Sequence, residues 1–377
     1  MRKLFLIIFI IIIGAFVIRS IWLKRHPPQT QTTVNVSNKI VKFLDKGGRV
    51  AWYKGSSHDL IAYDAIADNK TKNTEIYIIR PDGTGKQCVT CNSSVPKGFV
   101  GQPEWHPGGN LIIFQAENTN SKHGIYNHIS FGIDNDLWLI NKDGTNAVKI
   151  WSSPPLHAAL HPHFNESGTQ LIFAERIPTG KSNPSWAKLT PGGENPWDGW
   201  QIHIADVDLT KSGTAILSNH RIIQPSGSGF YETHNFHGNN IVYSHTSNGE
   251  AYVDDVYEVD ESGLGPKNLT NSPTTWEEHG IYSSSGKSMA FISSRADSSW
   301  IAPESKAATL KTELFLKNSS GIAQLTQFNK TNSLTRYLIS DYDWNREGNQ
   351  IVFQVAPVLG PAALSPELWM LTFPSAQ

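Results

Sequence analysis

The feature that most constrains the fold is a unit that recurs along the chain. Each unit begins with an aromatic residue, continues through a short polar turn that usually contains Gly, and ends in a strand-like apolar run. Five clear copies and a degenerate first copy occupy residues 105–114, 164–173, 236–243, 282–291, 344–353 and 52–63. Recurrence of one short unit along a chain is typical of a repeat architecture, in which each unit packs on its neighbours.

Each unit has a second half that predicts two more strands. A second apolar run with β-branched residues follows after a variable gap, as in residues 136–140. Turns such as Asp143-Gly144 supply the positive φ that tight hairpins need, and short closing strands follow, as in residues 268–270. Four short strands per unit and six units predict an all-β, six-bladed β-propeller with four-stranded blades.

The repeat resembles the TolB-type β-propeller repeat, and the resemblance covers about residues 38–374. The sixth unit stops after its third strand, at residues 367–373, and so lacks an outer strand. Residues 39–44 have the pattern of a strand and are predicted to supply it. Closing the ring in this way removes an unpaired sheet edge that would promote aggregation.

The first 37 residues have a different character. Residues 4–18 are apolar and have Lys and Arg on both flanks, and residues 4–23 reach the length of a membrane span if Arg19 extends to the interface. Residues 1–26 are therefore predicted to be an apolar helix that serves as a signal anchor, with a cleaved signal peptide as the alternative. Residues 27–37 are predicted to be a solvated tether, and residues 38–377 to be the propeller on the periplasmic or extracellular side.

The charge balance argues against nucleic acid as a partner. Five of the 32 Lys and Arg residues lie in the first 26 positions, which leaves 27 against 33 Asp and Glu in the rest of the chain. Binding to phosphate backbones requires a basic surface, which this acidic balance does not provide.

The chain has two cysteines, Cys88 and Cys91, at the end of the first unit's closing strand. The spacing is open to a redox motif or a metal site, but a strand end lacks the helix N-terminus that lowers a thiol pKa, and a metal would need further ligands. A local disulfide in an exported protein is the preferred interpretation. It requires a turn at Val89-Thr90, because an extended strand would hold the two residues too far apart.

The topology of a four-stranded blade predicts a functional site. The turns between strands one and two and between strands three and four lie on one face, here called the hairpin face. The long connections and the segments that enter the inner strands belong to the opposite face, here called the loop-rich face. These entry segments carry His and carboxylate residues in several blades, namely Gln102, Glu104, His157, His161, His163, Glu232, His234, Glu277, Glu278, His279, Asp341 and Asp343.

Because inner strands surround the axis, these residues are predicted to converge at one end of the central channel, on the loop-rich face. Imidazole and carboxylate groups together suit a divalent metal or acid–base chemistry. The alternative interpretation is that polar residues simply line a water-filled channel mouth.

The segment His161-Pro162-His163-Phe164 resembles the metal-binding region of oligogalacturonate lyases. The resemblance implies a divalent metal (Mn, Zn or Ca) held by His161, His163, His234 or His279 together with Gln102, and β-elimination on an acidic sugar. The entry segments contain no Arg or Lys to bind such a sugar.

The sequence predicts two candidate functions. The first is an exported or membrane-anchored propeller that binds a ligand or a protein partner on its loop-rich face. The second is a divalent-metal-dependent carbohydrate-active enzyme, similar to a polysaccharide lyase, with an oligosaccharide as its partner. No Gly-x-Ser-x-Gly elbow or Gly-rich phosphate loop is present to indicate a hydrolase or a nucleotide-binding enzyme.

Overall fold

The structure is a computed structural model that describes residues 38–180, 193–210, 215–246, 253–272, 274–300, 309–330, 335–359, 362–363 and 365–377. The predicted apolar helix at residues 1–26 and the tether at residues 27–37 lie outside these ranges. Within the described part of the chain, no helix has the length and apolar character of a membrane span. One 3-10 helix, Ile125–Asn127, lies in the long connection of the second blade.

Six antiparallel sheets form the six predicted blades. The first three blades comprise β2 to β13 in chain order: Val50–Trp52, Ile61–Ile66, Thr74–Ile79, Gln87–Cys88, Val100–Trp105, Leu111–Glu117, Asn135–Asn141, Val148–Trp151, Ala158–Phe164, Gln170–Arg176, Trp200–Leu209 and Ala215–Ile223. The fourth and fifth blades comprise β14 to β21: Tyr231–His237, Asn240–Thr246, Asp254–Asp260, Lys267–Asn268, Glu277–Tyr282, Met289–Ser293, Glu313–Asn318 and Gly321–Gln324.

The sixth blade is assembled from both ends of the propeller. Its strands β22, β23, β24 and β25 are Thr335–Trp344, Gln350–Leu359, Ala362–Ala363 and Glu367–Thr372, and its outer strand β1 is Lys39–Leu44. Strand β1 pairs antiparallel with β25, from Lys39 opposite Thr372 to Leu44 opposite Leu368. The predicted closure of the ring by residues 39–44 is therefore confirmed.

The repeated aromatic residue contributes to the packing between neighbouring blades. It falls at or next to the end of each inner strand, and in two blades its indole reaches the blade before. The Trp105 indole N–H donates to the carbonyl of Ala51 at 3.2 Å, and the Trp344 indole N–H donates to that of Ile281 at 3.0 Å. Trp105 and Trp344 are almost fully buried, so each adds apolar area and a hydrogen bond to an interface between blades.

Cys88 and Cys91 form a disulfide, with their Cα atoms 5.7 Å apart. Strand β5 ends at Cys88, and the chain turns through Val89-Thr90 before Cys91. The bridge closes a loop of four residues, so it constrains the unfolded chain less than a typical disulfide does.

Candidate metal centre at the propeller axis

The inner strands share a bulge at the same level of the central channel. In five of the six blades, the pairing between the inner strand and the next strand shifts register at this level. The bulged segments contain Gln102, His161, His234, His279 and Ser340. A β-bulge bends its strand and redirects a side chain, and bulges occur often beside active sites.

Three of the bulged residues have a left-handed backbone although none is Gly. The φ angles are +56° at Gln102, +49° at His161 and +54° at His279. Such a conformation costs about 1–2 kcal/mol for a residue with a Cβ. Pro103 and Pro162 follow the first two residues; Pro cannot donate to a sheet ladder, which is why it occurs inside sheets mainly at bulges and edges.

The preceding blade supports the backbone of each left-handed bulge. The amide of Gln102 donates to the Asp64 carboxylate at 3.2 Å, and the amide of His161 donates to the Gln115 side-chain oxygen at 3.0 Å. The amide of His279 donates to Nε2 of His234 at 3.1 Å. Buried amides displaced from a ladder need such acceptors, so these contacts stabilise the bulges.

The bulges bring three imidazoles together at the axis. His161, His234 and His279 are each at most 5% exposed. Each offers a ring nitrogen, and these nitrogens lie within 4.8 Å of one another. Glu232 joins them, because its Oε1 contacts Nε2 of His161 and lies 3.3 Å from Nε2 of His279. We call His161, His234, His279 and Glu232 the axial cluster.

Two neighbouring side chains orient the cluster. The side-chain amide nitrogen of Gln102 lies 2.9 Å from Nε2 of His161. The hydroxyl of Ser244 lies 2.6 Å from Nε2 of His234. The cluster thus comes from the inner strands of three blades, β10, β14 and β18. Gln102 lies on the inner strand of a fourth blade, and Ser244 lies on a second strand.

The charges of the cluster follow from burial and from the central carboxylate. Burial lowers the pKa of His161 to about 4, although Glu232 opposes the shift, and it lowers the pKa of His234 well below its usual value. Burial also lowers the pKa of His279, but Glu232 outweighs this effect and the net shift is upward. Burial would raise the pKa of Glu232, but His161 and His279 hold it well below its usual value. Glu232 is thus a buried anion facing one imidazole that readily accepts a proton and two that resist it.

The remaining predicted residues lie around the cluster or away from it. His163 lies towards the hairpin face, where its Nδ1 is 3.3 Å from Oε2 of Glu104. Glu278 lies towards the loop-rich face and, with Glu232 and His279, forms a second group of potential ligands within 4.8 Å. His157 is not part of the cluster, and its Nδ1 lies 3.6 Å from Oε1 of Glu175.

The cleft that reaches the cluster opens in a direction that the sequence did not predict. It contains about 430 Å³ of space not filled by protein atoms, a volume that includes the open solvent at its mouth. Its lining comes from the bulges and from residues beyond them, namely Val50, Gln102, Pro103, Glu104, His161, Pro162, His163, His234, Asn235, His279, Ile281, Asp341, Tyr342 and Asp343. These residues lie towards the hairpin face. On the other side, Ile129 from the long connection of the second blade packs against Gly101 and is fully buried.

Tyr342 is a positioning residue that sequence reasoning passed over. Its hydroxyl donates to the carbonyl of His279 at 2.6 Å and accepts from the amide of Ile281 at 3.0 Å, so it holds both sides of the bulge. The supporting residues Asp64, Gln115 and Ser244 were also missed. A usable signal existed for these three, since each follows the repeated aromatic residue of a second strand, as in Tyr63-Asp64 and Phe114-Gln115.

Removing the Tyr342 hydroxyl is expected to destabilise the fold. Tyr342→Phe leaves a buried amide without its acceptor, which costs about 1–3 kcal/mol of unfolding free energy. Tyr63→Phe is the matched control, because Tyr63 is equally buried and its hydroxyl has no hydrogen-bond partner among the described residues. Urea unfolding followed by circular dichroism measures both. Equal stability of the two variants would contradict the role assigned to Tyr342.

Comparison with known proteins gives matches in structure and none in sequence. No protein-family model and no curated protein sequence matches the chain. A candidate TolB protein from Agrobacterium tumefaciens aligns over 77% of this chain and 87% of its own, with a TM-score of 0.48 and 11% identity. An oligogalacturonate lyase in complex with manganese aligns over 92% of this chain and 97% of its own, with a TM-score of 0.46 and 10% identity.

An oligogalacturonate lyase from Vibrio parahaemolyticus aligns over 92% of this chain and 98% of its own, with a TM-score of 0.45 and 9% identity. At these identities the likeness concerns the fold. The chain thus resembles TolB-like and oligogalacturonate lyase propellers in its six-bladed arrangement.

Proposed function

We propose that the axial cluster binds one divalent transition-metal ion, with His161, His234 and His279 as nitrogen donors and Glu232 as an oxygen donor. The observation that carries the proposal is the convergence of three buried imidazole nitrogens within 4.8 Å of one another, beside a buried carboxylate. The left-handed backbone at His161 and His279 supports it, because strain of this kind persists at sites where a side chain must be aimed.

The donor set decides which ion fits. Imidazole nitrogens suit zinc and related transition metals, carboxylates also suit manganese, and calcium takes oxygen ligands almost exclusively. Of the three ions expected from the sequence, zinc and manganese therefore match the axial cluster and calcium does not. When bound, such an ion would act as a Lewis acid towards a ligand in the cleft.

The metal content of the purified full chain tests this proposal. The chain, extracted in detergent and purified without chelators, is expected to carry at least one zinc or manganese ion per molecule by mass spectrometry of the elements. Dialysis against EDTA should remove the ion, and readdition of zinc or manganese should restore it. A chain that neither carries these ions nor takes them up in stoichiometric amount would refute the proposal.

A metal-dependent enzyme is the second candidate, and His163 is the observation that favours it. His163 lines the cleft, its Nδ1 faces Glu104, and its Nε2 is buried with no hydrogen-bond partner among the described residues. An imidazole oriented by a carboxylate in this way is suited to accept a proton as a general base. Formation of an unsaturated sugar from oligogalacturonate, detected by its ultraviolet absorbance, tests for β-elimination.

The charge of the cleft makes metal binding the better-supported function. Glu104, Asp341 and Asp343 line the cleft. Lys54 pairs with Asp343 at 2.5 Å and is therefore not free to bind an acidic sugar. An anionic sugar would meet Glu104 and Asp341 with no Lys or Arg among the lining residues to bind it, whereas these carboxylates favour a cation.

The cellular setting remains as proposed from the sequence. A membrane anchor at residues 4–23 would hold the propeller on the periplasmic or extracellular side, and a protein or oligosaccharide partner would bind the loop-rich face. The Cys88–Cys91 disulfide is compatible with this setting, because disulfides persist in oxidising compartments.

A further inference from the structure

Three carboxylates meet immediately on the loop-rich side of the axial cluster. Glu232 and Glu278 are each the second residue of an inner strand, and Asp254 is the first residue of β16. Glu232, Glu278 and His279 each offer a ligand atom within 4.8 Å of the other two. Among the charges around Asp254, that of Glu232 acts on it most strongly, and the charge of Asp254 in turn acts on Glu278.

The sheet register explains how Asp254 reaches the other two. In the fourth blade Glu232 is opposite Ser244, and Asp254 is opposite Thr246 two residues further along the same strand. Glu232 and Asp254 therefore project from the same face of the sheet. Val256 projects from this face as well and packs on the fifth blade, where a Cβ added at Gly280 would lie 2.3 Å from its Cγ1. The carboxylates thus meet Glu278 at the interface between the two blades.

No Lys or Arg among the described residues pairs with any of these three carboxylates. Glu232 pairs only with His161 and His279, and neither Asp254 nor Glu278 forms a salt bridge within the described ranges. Arg295 pairs instead with Glu277. Asp254 is 3% exposed, and its Oδ1 has no hydrogen-bond partner in the described part of the chain. A buried carboxylate oxygen without a partner is costly, so the Oδ1 of Asp254 favours a bound cation.

We infer that Glu232, Asp254 and Glu278 bind a second divalent cation, of the hard, oxygen-preferring class, next to the metal ion of the axial cluster. This inference deepens the proposed metal centre and rests on it for the shared role of Glu232, one oxygen of which already faces His161 and His279. A carboxylate shared in this way is the arrangement of two-metal sites, whose ions lie about 3.5–4 Å apart. Calcium is the best probe, because carboxylate oxygens suit it and imidazoles do not.

The second site has its own route of access. A cleft lies between the fifth and sixth blades, and Glu278 lines it together with Trp276, Thr312 and Ser340. Trp276 comes just before the inner strand β18, and Ser340 lies in the bulge of the inner strand β22. Thr312 comes just before the third strand β20. The chain enters all three strands from the loop-rich face, so the cleft is on that side. A cation therefore need not pass through the axial cluster to reach Glu278.

Calcium binding by the full chain tests the inference. Chain stripped with EDTA is dialysed against calcium up to about 1 mM, the weak end of protein calcium sites. The wild type is expected to bind one calcium ion per chain. Asp254→Asn and Glu278→Gln should each lower calcium affinity at least tenfold, whereas the matched control Asp208→Asn, at the exposed end of β12, should not. Absence of stoichiometric calcium, or unchanged binding by Asp254→Asn, would overturn the inference.

Thermal unfolding separates a lost site from a damaged fold. In EDTA, Asp254→Asn should melt at the same temperature as the wild type or higher, because it removes a buried carboxyl group whose Oδ1 has no hydrogen-bond partner among the described residues. It should also lose the increase in Tm that calcium gives the wild type. A lower Tm in EDTA would contradict the inference, since the carboxylate would then serve the fold alone. His161→Ala should keep calcium binding while losing zinc, so failure of the axial site and failure of the second site give different results.

Discussion

Replacing His161 with alanine is expected to abolish stoichiometric uptake of zinc or manganese by the full chain. Removing a residue that hydrogen-bonds to a metal ligand typically lowers metal affinity about 10–100-fold. Removing one of the three imidazole ligands themselves should therefore lower metal affinity at least a hundredfold. His234→Ala should have the same effect. Metal content after dialysis, together with a binding titration on EDTA-treated chain, measures both variants.

His161 and His234 are better positions for this test than His279, because replacing His279 would also destabilise the fold. In His279 alone of the three imidazoles, Glu232 outweighs burial and the net pKa shift is upward. Removing His279 would therefore leave a buried carboxylate without its charged partner and cost about 3–5 kcal/mol in stability. His220→Ala is the matched control, because His220 lies exposed on the outer strand of the third blade. Full metal uptake by His161→Ala and His234→Ala would assign the cluster to the fold rather than to an ion.

The sequence was sufficient to predict the architecture because the repeat marks the positions of the strands in each blade. An aromatic residue at a fixed distance from a turn and an apolar run marks the first two strands of each blade, and the structure has inner strands that end at Trp105, Phe164, Tyr282 and Trp344. Ring closure was predictable for a related reason. The last unit lacks an outer strand, and residues 39–44 are the strand-like segment outside the repeats.

The arrangement of the site could not be predicted to the same degree, because it depends on the bulges. A shift of one residue in a strand turns a side chain to the opposite face. The bulge in β10 lies between Leu160 and His163, and it places His161 in the cluster while His163 faces Glu104. Nothing in the spacing of His161 and His163 distinguishes these two positions.

The face towards which the cleft opens could not be predicted from the sequence either. The long connections were expected to form the open side of the site, but one of them packs Ile129 against Gly101, and the cleft lined by the axial residues lies towards the hairpin face. Whether a long loop frames an opening or covers it depends on tertiary packing, which repeat spacing does not encode. The same limit explains why Asp254, at the end of a long connection, was not assigned to the site.

Deleting residues 1–46 is expected to destabilise the propeller strongly, whereas deleting residues 1–30 should not. Both variants lack the predicted membrane span, but only the longer deletion removes β1. Strand β1 hydrogen-bonds to β25, and its Ile40, Phe43 and Leu44 pack against the cores on both sides of the sixth blade. Losing the partial burial of these three apolar side chains and the hydrogen bonds between β1 and β25 should lower the free energy of unfolding by about 3 kcal/mol or more.

That loss is a large share of the roughly 5–15 kcal/mol that stabilises a typical folded domain. It also exposes the edge of β25, which can then pair with another chain, so the longer deletion should aggregate. Urea unfolding and size-exclusion chromatography measure the two effects. A synthetic peptide of residues 38–46 should restore both properties if edge pairing is their cause. Equal stability of the two deletions, or no rescue by the peptide, would show that β1 covers the sixth blade without closing the ring.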